Sequence, residues 1–239
     1  MKKLFLLCFV VSLLIFSPFV NAFEVVVFEQ YDTVYSVKGR TLVVEKDLVL
    51  RNVGTNPIIP GEISFKLFEM HGDSSRSSNV RDVVALHNNN VLDTRVDSHT
   101  DFSDVVVHIW NPLLPDFDYS FSLSYEIDYR PRGVLFHEVV FPVEETTISI
   151  NDRTTTMLLP RRYSVTYAPH AVLSSTSDNK IVDWGSRSEL SLEYTIIPLP
   201  EQMPFRMVSV FWLSVLILLG VIFIVLNVKR TRTSSKKKK

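Results

Sequence analysis

Tyr119-Ser120-Phe121-Ser122-Leu123-Ser124-Tyr125-Glu126-Ile127-Asp128-Tyr129 alternates between large apolar and polar side chains over eleven residues without an error. Successive side chains of a strand point to opposite faces, so one face of this segment is expected in a core and the other in solvent. The pattern recurs outward in both directions. Ile63, Phe65 and Leu67 alternate with Glu62, Ser64 and Lys66; Tyr163, Val165 and Tyr167 alternate with Ser164 and Thr166. Leu190, Leu192 and Tyr194 are expected inward, with Glu189, Ser191 and Glu193 outward. Asp104 to Trp110 is more continuously apolar, as a central strand is.

Turn chemistry separates these runs. Asn52 to Pro57, the Ser-rich stretch Asp73 to Ser78 and His87-Asn88-Asn89-Asn90 are loops; asparagine tolerates the left-handed backbone a tight hairpin needs. Pro112 and Pro115 stop the strand ending at Trp110. Short strands at this spacing predict a mainly β fold: two tandem antiparallel β-sandwich, immunoglobulin-like domains plus one C-terminal transmembrane α-helix. The expected division is 23–129 for the first sandwich and 130–199 for a smaller second one, with a break at Arg130-Pro131-Arg132-Gly133. One large sandwich is the alternative.

The ends read differently. Residues 1–22 have a basic start, an apolar run from Leu4 to Val20 and a small-residue end, Val20-Asn21-Ala22, the layout of a signal peptide cleaved after Ala22. An uncleaved signal anchor is the alternative. Residues 200–206 are expected to form a Pro-rich stalk. Residues 207–228 carry no charge and, at about 1.5 Å per residue, would cross a hydrocarbon core as a helix. Residues 229–239 form a basic tail, expected on the cytoplasmic side. Its Lys229, Arg230, Arg232, Lys236, Lys237, Lys238 and Lys239 are expected to meet the anionic inner leaflet. The expected location is the plasma membrane, single-pass, with the sandwiches outside; the closing lysines also resemble a dilysine retrieval signal, which makes the endoplasmic reticulum membrane the alternative.

The formal charge of the 239 residues is −1, but the basic residues gather at the ends. Between Phe23 and Phe205 stand 15 basic and 26 acidic residues, net −11, which argues against nucleic acid as a partner. The one cysteine, Cys8, lies in the predicted signal, so no disulfide is expected. No Asn-x-Ser/Thr sequon occurs; with the missing cysteines this favours a prokaryotic surface.

The punctuation carries a resemblance. Leu50 to Gly54, Ile58 to Ile63, the Pro115-Asp116 turn, Phe141-Pro142-Val143, Leu158-Leu159-Pro160, Trp184 and Leu190 to Tyr194 resemble archaeal exported proteins with tandem immunoglobulin-like sandwiches and a C-terminal anchor. The layout is more distantly similar to the lumenal part of the ribophorin I family of oligosaccharyltransferase subunits. The archaeal family mostly lacks an assigned function, so the resemblance implies a layout and no catalytic residue.

Catalytic motifs are missing: there is no Gly-x-Ser-x-Gly elbow, His-Glu-x-x-His or P-loop. His71, His87, His99, His108, His137 and His170 share no ligand spacing. Asp93, Asp97, Asp101 and Asp104, with Asp116 and Asp118, match no EF-hand loop and read as solvated acids. Trp110 and Trp184 read as core or interface anchors, an exposed aromatic strip being the alternative. No catalytic, cofactor or metal residue is therefore expected. The expected function is a non-enzymatic binding or scaffold module with an extracytoplasmic protein partner, or a subunit of a membrane complex. An accessory, ribophorin-like subunit of a membrane glycosyltransferase is the alternative.

Overall fold

The computed structural model describes residues 25–71, 74–187, 189–198, 201 and 212–225. The predicted signal 1–22, the tail 229–239 and most of the stalk lie outside them.

The chain is mainly β. In order the strands are β1 (Val26–Lys38), β2 (Thr41–Asn52), β3 (Gly61–His71), β4 (Ser74–Ser77), β5 (Val80–His87), β6 (Asn90–Leu92), β7 (Thr94–Ser98), β8 (Ser103–Ile109) and β9 (Asp118–Asp128). They continue as β10 (Phe136–Val139), β11 (Val143–Thr146), β12 (Ser149–Ile150), β13 (Arg153–Pro160), β14 (Ser164–Tyr167), β15 (Val172–Ser175), β16 (Asn179–Gly185) and β17 (Leu192–Thr195). Among the described residues one helix, α1, covers 212–225. Its 14 residues reach about 21 Å at 1.5 Å each, and among the described residues no helix is long and apolar enough to cross a membrane. The rest of the expected span, 207–211 and 226–228, lies outside the described residues.

A nine-stranded sheet runs β15-β16-β13-β1-β2-β9-β5-β6, with β12 also on β1. A five-stranded sheet runs β11-β3-β8-β7, with β4 on β3, and a three-stranded one runs β10-β17-β14. Strands from either side of residue 130 share the large sheet: β1 pairs in parallel with β13, Tyr31 opposite Arg153 and Ser36 opposite Leu158. β11 likewise joins the five-stranded sheet through β3.

Local chemistry explains the pieces. Gly39 takes φ +66 at the two-residue turn between β1 and β2, a conformation free of penalty only without a Cβ. Asn88 and Asn89 take φ 48 and 66 in the β5–β6 hairpin, as expected from their side chains. Tyr119, Phe121, Leu123, Tyr125 and Ile127 of β9 are all buried, and the residues between them are not. Ile63, Phe65 and Leu67 of β3 are buried in the same way. β8 is central, with β3 and β7 on its two edges. The sheets meet through Phe28, whose ring centroid lies 6.1 Å from that of Phe65. Buried side chains of all three sheets form one connected apolar cluster, from Phe28 to Tyr194. Each fully buried aliphatic or aromatic side chain there contributes on the order of 1.5–3 kcal/mol.

Three expectations of facing are corrected. In β14 a bulge between Val165 and Tyr167 breaks the alternation, so Thr166 is buried and Tyr167 is exposed. Glu193 of β17, expected outward, is buried, because both faces of β17 are covered: Leu192, Glu193, Tyr194 and Thr195 are all buried. Trp110 is 62% exposed, since the chain leaves the sheet at Ile109 for the proline loop. Trp184 is buried as expected, edge-on to Phe141 at 5.6 Å.

Candidate binding cleft and buried charge network

Two polar features stand out, and each lies where two sheets face each other. The first begins on β2. Leu42, Val44, Leu48 and Leu50 fill the inward phase of that strand, and Lys46 occupies the position between them, fully buried. A buried ammonium needs a partner for each of its protons. Lys46 Nζ donates to Thr33 Oγ1 at 3.0 Å directly across the β1–β2 ladder, and reaches Tyr31 Oη at 3.4 Å. It pairs with Glu144 Oε2 at 2.6 Å, on β11 of the facing sheet. The Tyr31 hydroxyl donates to the other carboxylate oxygen of Glu144. The Tyr31 ring also carries two cations, Lys46 Nζ 4.6 Å and Arg153 Cζ 5.1 Å from its centroid.

Burial sets the electrostatics of this network. It lowers the pKa of Lys46, against the pull of the Glu144 carboxylate, which raises it. Burial raises the hydroxyl pKa values of Tyr31, Tyr35 and Tyr125, and Glu144 adds to each. A cavity of 330 Å³ lies beside the network, lined by Tyr35, Phe141, Glu144, Arg153 and Arg187 among others. The ammonium's donors are taken up inside the protein, so the network ties the two sheets together.

The second feature is an open cleft of 660 Å³ at the end of β9. Tyr129 N donates to the Arg40 carbonyl at 2.8 Å, which holds the β1–β2 turn against the segment leaving β9. The Tyr129 and Tyr194 hydroxyls bond each other at 2.9 Å. Tyr163 and His137 pack on Tyr194 with ring centroids at 4.8 and 5.3 Å. Burial pushes the Tyr129 and Tyr194 hydroxyls up in pKa. Arg40 and Arg130 line the cleft and are exposed. A smaller cavity of 170 Å³ shares Asp128 and Arg130 with it and adds Glu69, Arg76 and Arg132. Asp128 is engaged by Arg81 at 2.7 Å and by Asn79 at 3.0 Å. Among the described residues, none of Arg40, Arg76, Arg130 and Arg132 forms an ion pair.

The residues weighed in the sequence sit apart from both features, His137 excepted. His87 stacks on Tyr119 at 4.0 Å, His99 packs on Phe102, and His108 lies 3.8 Å from Glu62. Asp97 pairs with Arg95, and Asp104 accepts from Ser64. Among the described residues no group of three His, Cys, Asp or Glu side chains gathers as a metal site would require.

The chain is a distant homologue of an uncharacterized protein of the archaeon Methanocaldococcus jannaschii, 24% identical over 141 residues, which covers 59% of this chain and all of that one. No known family profile matches. Among solved structures, a Legionella pneumophila protein named for nutrient binding aligns with TM-score 0.49 and 9% identity over 72% of this chain and 67% of that chain. An M1 zinc metallopeptidase of Deinococcus radiodurans aligns with TM-score 0.43 and 14% identity. The match covers 72% of this chain, which spans only 42% of the metallopeptidase. This corrects the expectation of a non-enzymatic chain. At this similarity no activity carries over in either direction.

Proposed function

We propose that the chain is an extracytoplasmic binding module held at a membrane, with the Tyr129–Tyr194 cleft as its ligand site. The observation that carries the reading is the cleft itself: a concave site of a size suited to small ligands, walled by aromatic rings and edged by Arg40 and Arg130, which form no ion pair among the described residues. Residues 207–228 supply the anchor in this reading, because 22 uncharged residues suffice for a span and the tail after them is basic. That tail rests on the anionic leaflet through Lys229, Arg230, Arg232 and Lys236 to Lys239.

Protease added to intact cells tests the topology. The β region should be digested and a tag placed after Lys239 spared; loss of the tag from intact cells sinks the anchored reading. Ligand screening of the full chain by thermal shift tests the cleft. Stabilising ligands should lose their effect on Tyr163→Ala, and a hit indifferent to that change binds elsewhere.

A further inference from the structure

The 15 basic residues between Phe23 and Phe205 are not evenly spread over an otherwise acidic surface. Arg40, Arg76, Arg130 and Arg132 line the cleft and the cavity that adjoins it, and Arg81 bonds Asp128, which lines both. The carboxylates there are Asp128 and Glu69, and Asp128 is already held by Arg81 and Asn79. With Asp128 held by Arg81, the rim carries an excess of positive charge on Arg40, Arg76, Arg130 and Arg132, none of which makes an ion pair within the described residues. Repulsion disfavours such grouping in the free protein, and a bound anion would relieve it.

The walls add a second requirement. Tyr194 is buried under Tyr163 and His137, which pack on its ring, so the half-buried Tyr163 supplies the aromatic face that the cleft presents. The Tyr129–Tyr194 hydroxyl pair uses one proton between two oxygens, so the pair retains a donor and free acceptor capacity. A purely ionic ligand would leave the rings unused, and a purely apolar one would leave the guanidinium groups and hydroxyls unused. A sugar ring offers an apolar C–H face and a rim of hydroxyls, and an anionic substituent on it matches the planar guanidinium fork. The 660 Å³ of the cleft accommodates a ligand of one to a few rings.

We infer that the cleft binds a saccharide carrying an anionic substituent, its ring against Tyr163 and its negative group on Arg40 and Arg130. This rests on the reading of the cleft as the ligand site. Carboxylated and sulfated sugars share this chemistry, and the test separates them.

The test is calorimetric titration of the full chain, purified in a non-ionic detergent at low salt. The probes are digalacturonate, a sulfated galactose disaccharide, neutral galactobiose and a short poly-glutamate peptide. The expected result is binding of at least one anionic sugar, about tenfold or more tighter than galactobiose. That binding should weaken by about tenfold in Arg40→Gln and Arg130→Gln, weaken with added salt, and vanish in Tyr163→Ala. Arg95→Gln, on an ion pair away from the cleft, should leave it unchanged. Preference between the carboxylated and sulfated arms identifies the anion. Galactobiose binding as tightly as the charged sugars, or binding indifferent to both arginines, overturns the anionic assignment while the cleft remains a ligand site. Peptide binding through the same arginines without any sugar binding also overturns it. No binding by any probe, with folded protein confirmed by circular dichroism, overturns it too; a thermal-shift hit sensitive to Tyr163→Ala would then keep the broader reading alive.

Discussion

Lys46 on β2 and Glu144 on β11 stand 2.6 Å apart, so an ion pair joins the nine-stranded sheet to the five-stranded one. Neither residue has a charged neighbour in its own ladder position: Lys46 faces Leu123 and Thr33, and Glu144 faces Leu67. Breaking such a pair leaves an unmatched buried charge, whereas replacing the whole group with apolar side chains is often close to neutral.

Lys46→Met should therefore destabilise the protein by about 3–5 kcal/mol. Lys46→Met combined with Glu144→Leu and Tyr31→Phe should recover most of the loss. Denaturant unfolding of both variants measures this; a single variant as stable as the parent would show that the pair holds nothing together.

Glu193 gives a pH-dependent prediction. Its pKa is raised, first by burial and next by Glu138 opposite it on β10, while the Thr166 hydroxyl opposes the shift. The folded state then holds its proton at pH values where the unfolded chain has released it, so stability falls as pH rises from about 4.3 through the raised value. Glu193→Gln should match the parent in melting temperature near pH 4 and exceed it at pH 7. A variant that melts lower at pH 7 would refute this assignment.

Alkali should act through the tyrosines. The hydroxyls of Tyr31, Tyr35, Tyr119, Tyr125, Tyr129 and Tyr194 are raised by burial, so the folded state resists their ionisation. Stability is lost as pH rises beyond about 10, the value in an unfolded chain. Tyrosinate absorbance should rise steeply and together with loss of the β signal in circular dichroism. Smooth titration of all eight tyrosines near pH 10 with the fold intact would contradict this burial.

Gly133 has φ +97, and a Cβ there would lie 2.0 Å from the Phe136 carbonyl oxygen. The surrounding turn is closed by the reciprocal backbone bonds of Arg132 and Glu138, at 3.0 and 2.8 Å. Gly133→Ala should cost at least about 1–3 kcal/mol and raise hydrogen exchange at Glu138. Unchanged melting and exchange would show that the turn tolerates a side chain.

The face of a strand was legible wherever one side alone is buried, as in Tyr119 to Tyr129. It was misread where both sides are covered, as at Glu193, because period-two patterning carries no signal there. Lys46 could have been found: it interrupts the apolar phase Leu42, Val44, Leu48 and Leu50, and a charge in that phase needs a partner. Its partner could not, since four residues of β11 set no period and pairing with the distant β3 leaves no local trace. The arginines of the cleft were hidden differently. Arg130-Pro131-Arg132-Gly133 has the composition of a linker, and a site built on a turn has the same composition.

The parallel pairing of β1 with β13 also orders events in time. β1 can zip onto β2 as soon as both exist, but its other edge stays open until residues 149–158 arrive. A nascent chain emerging N-terminus first would therefore carry a central strand with one open edge while the residues from Lys38 to Ser149 are added, and long-range pairing of this kind is slow and prone to misassociation. The first strand made is among the last completed, so a holding chaperone on the side where the chain emerges should bind the Val26–Lys38 edge and improve the folded yield.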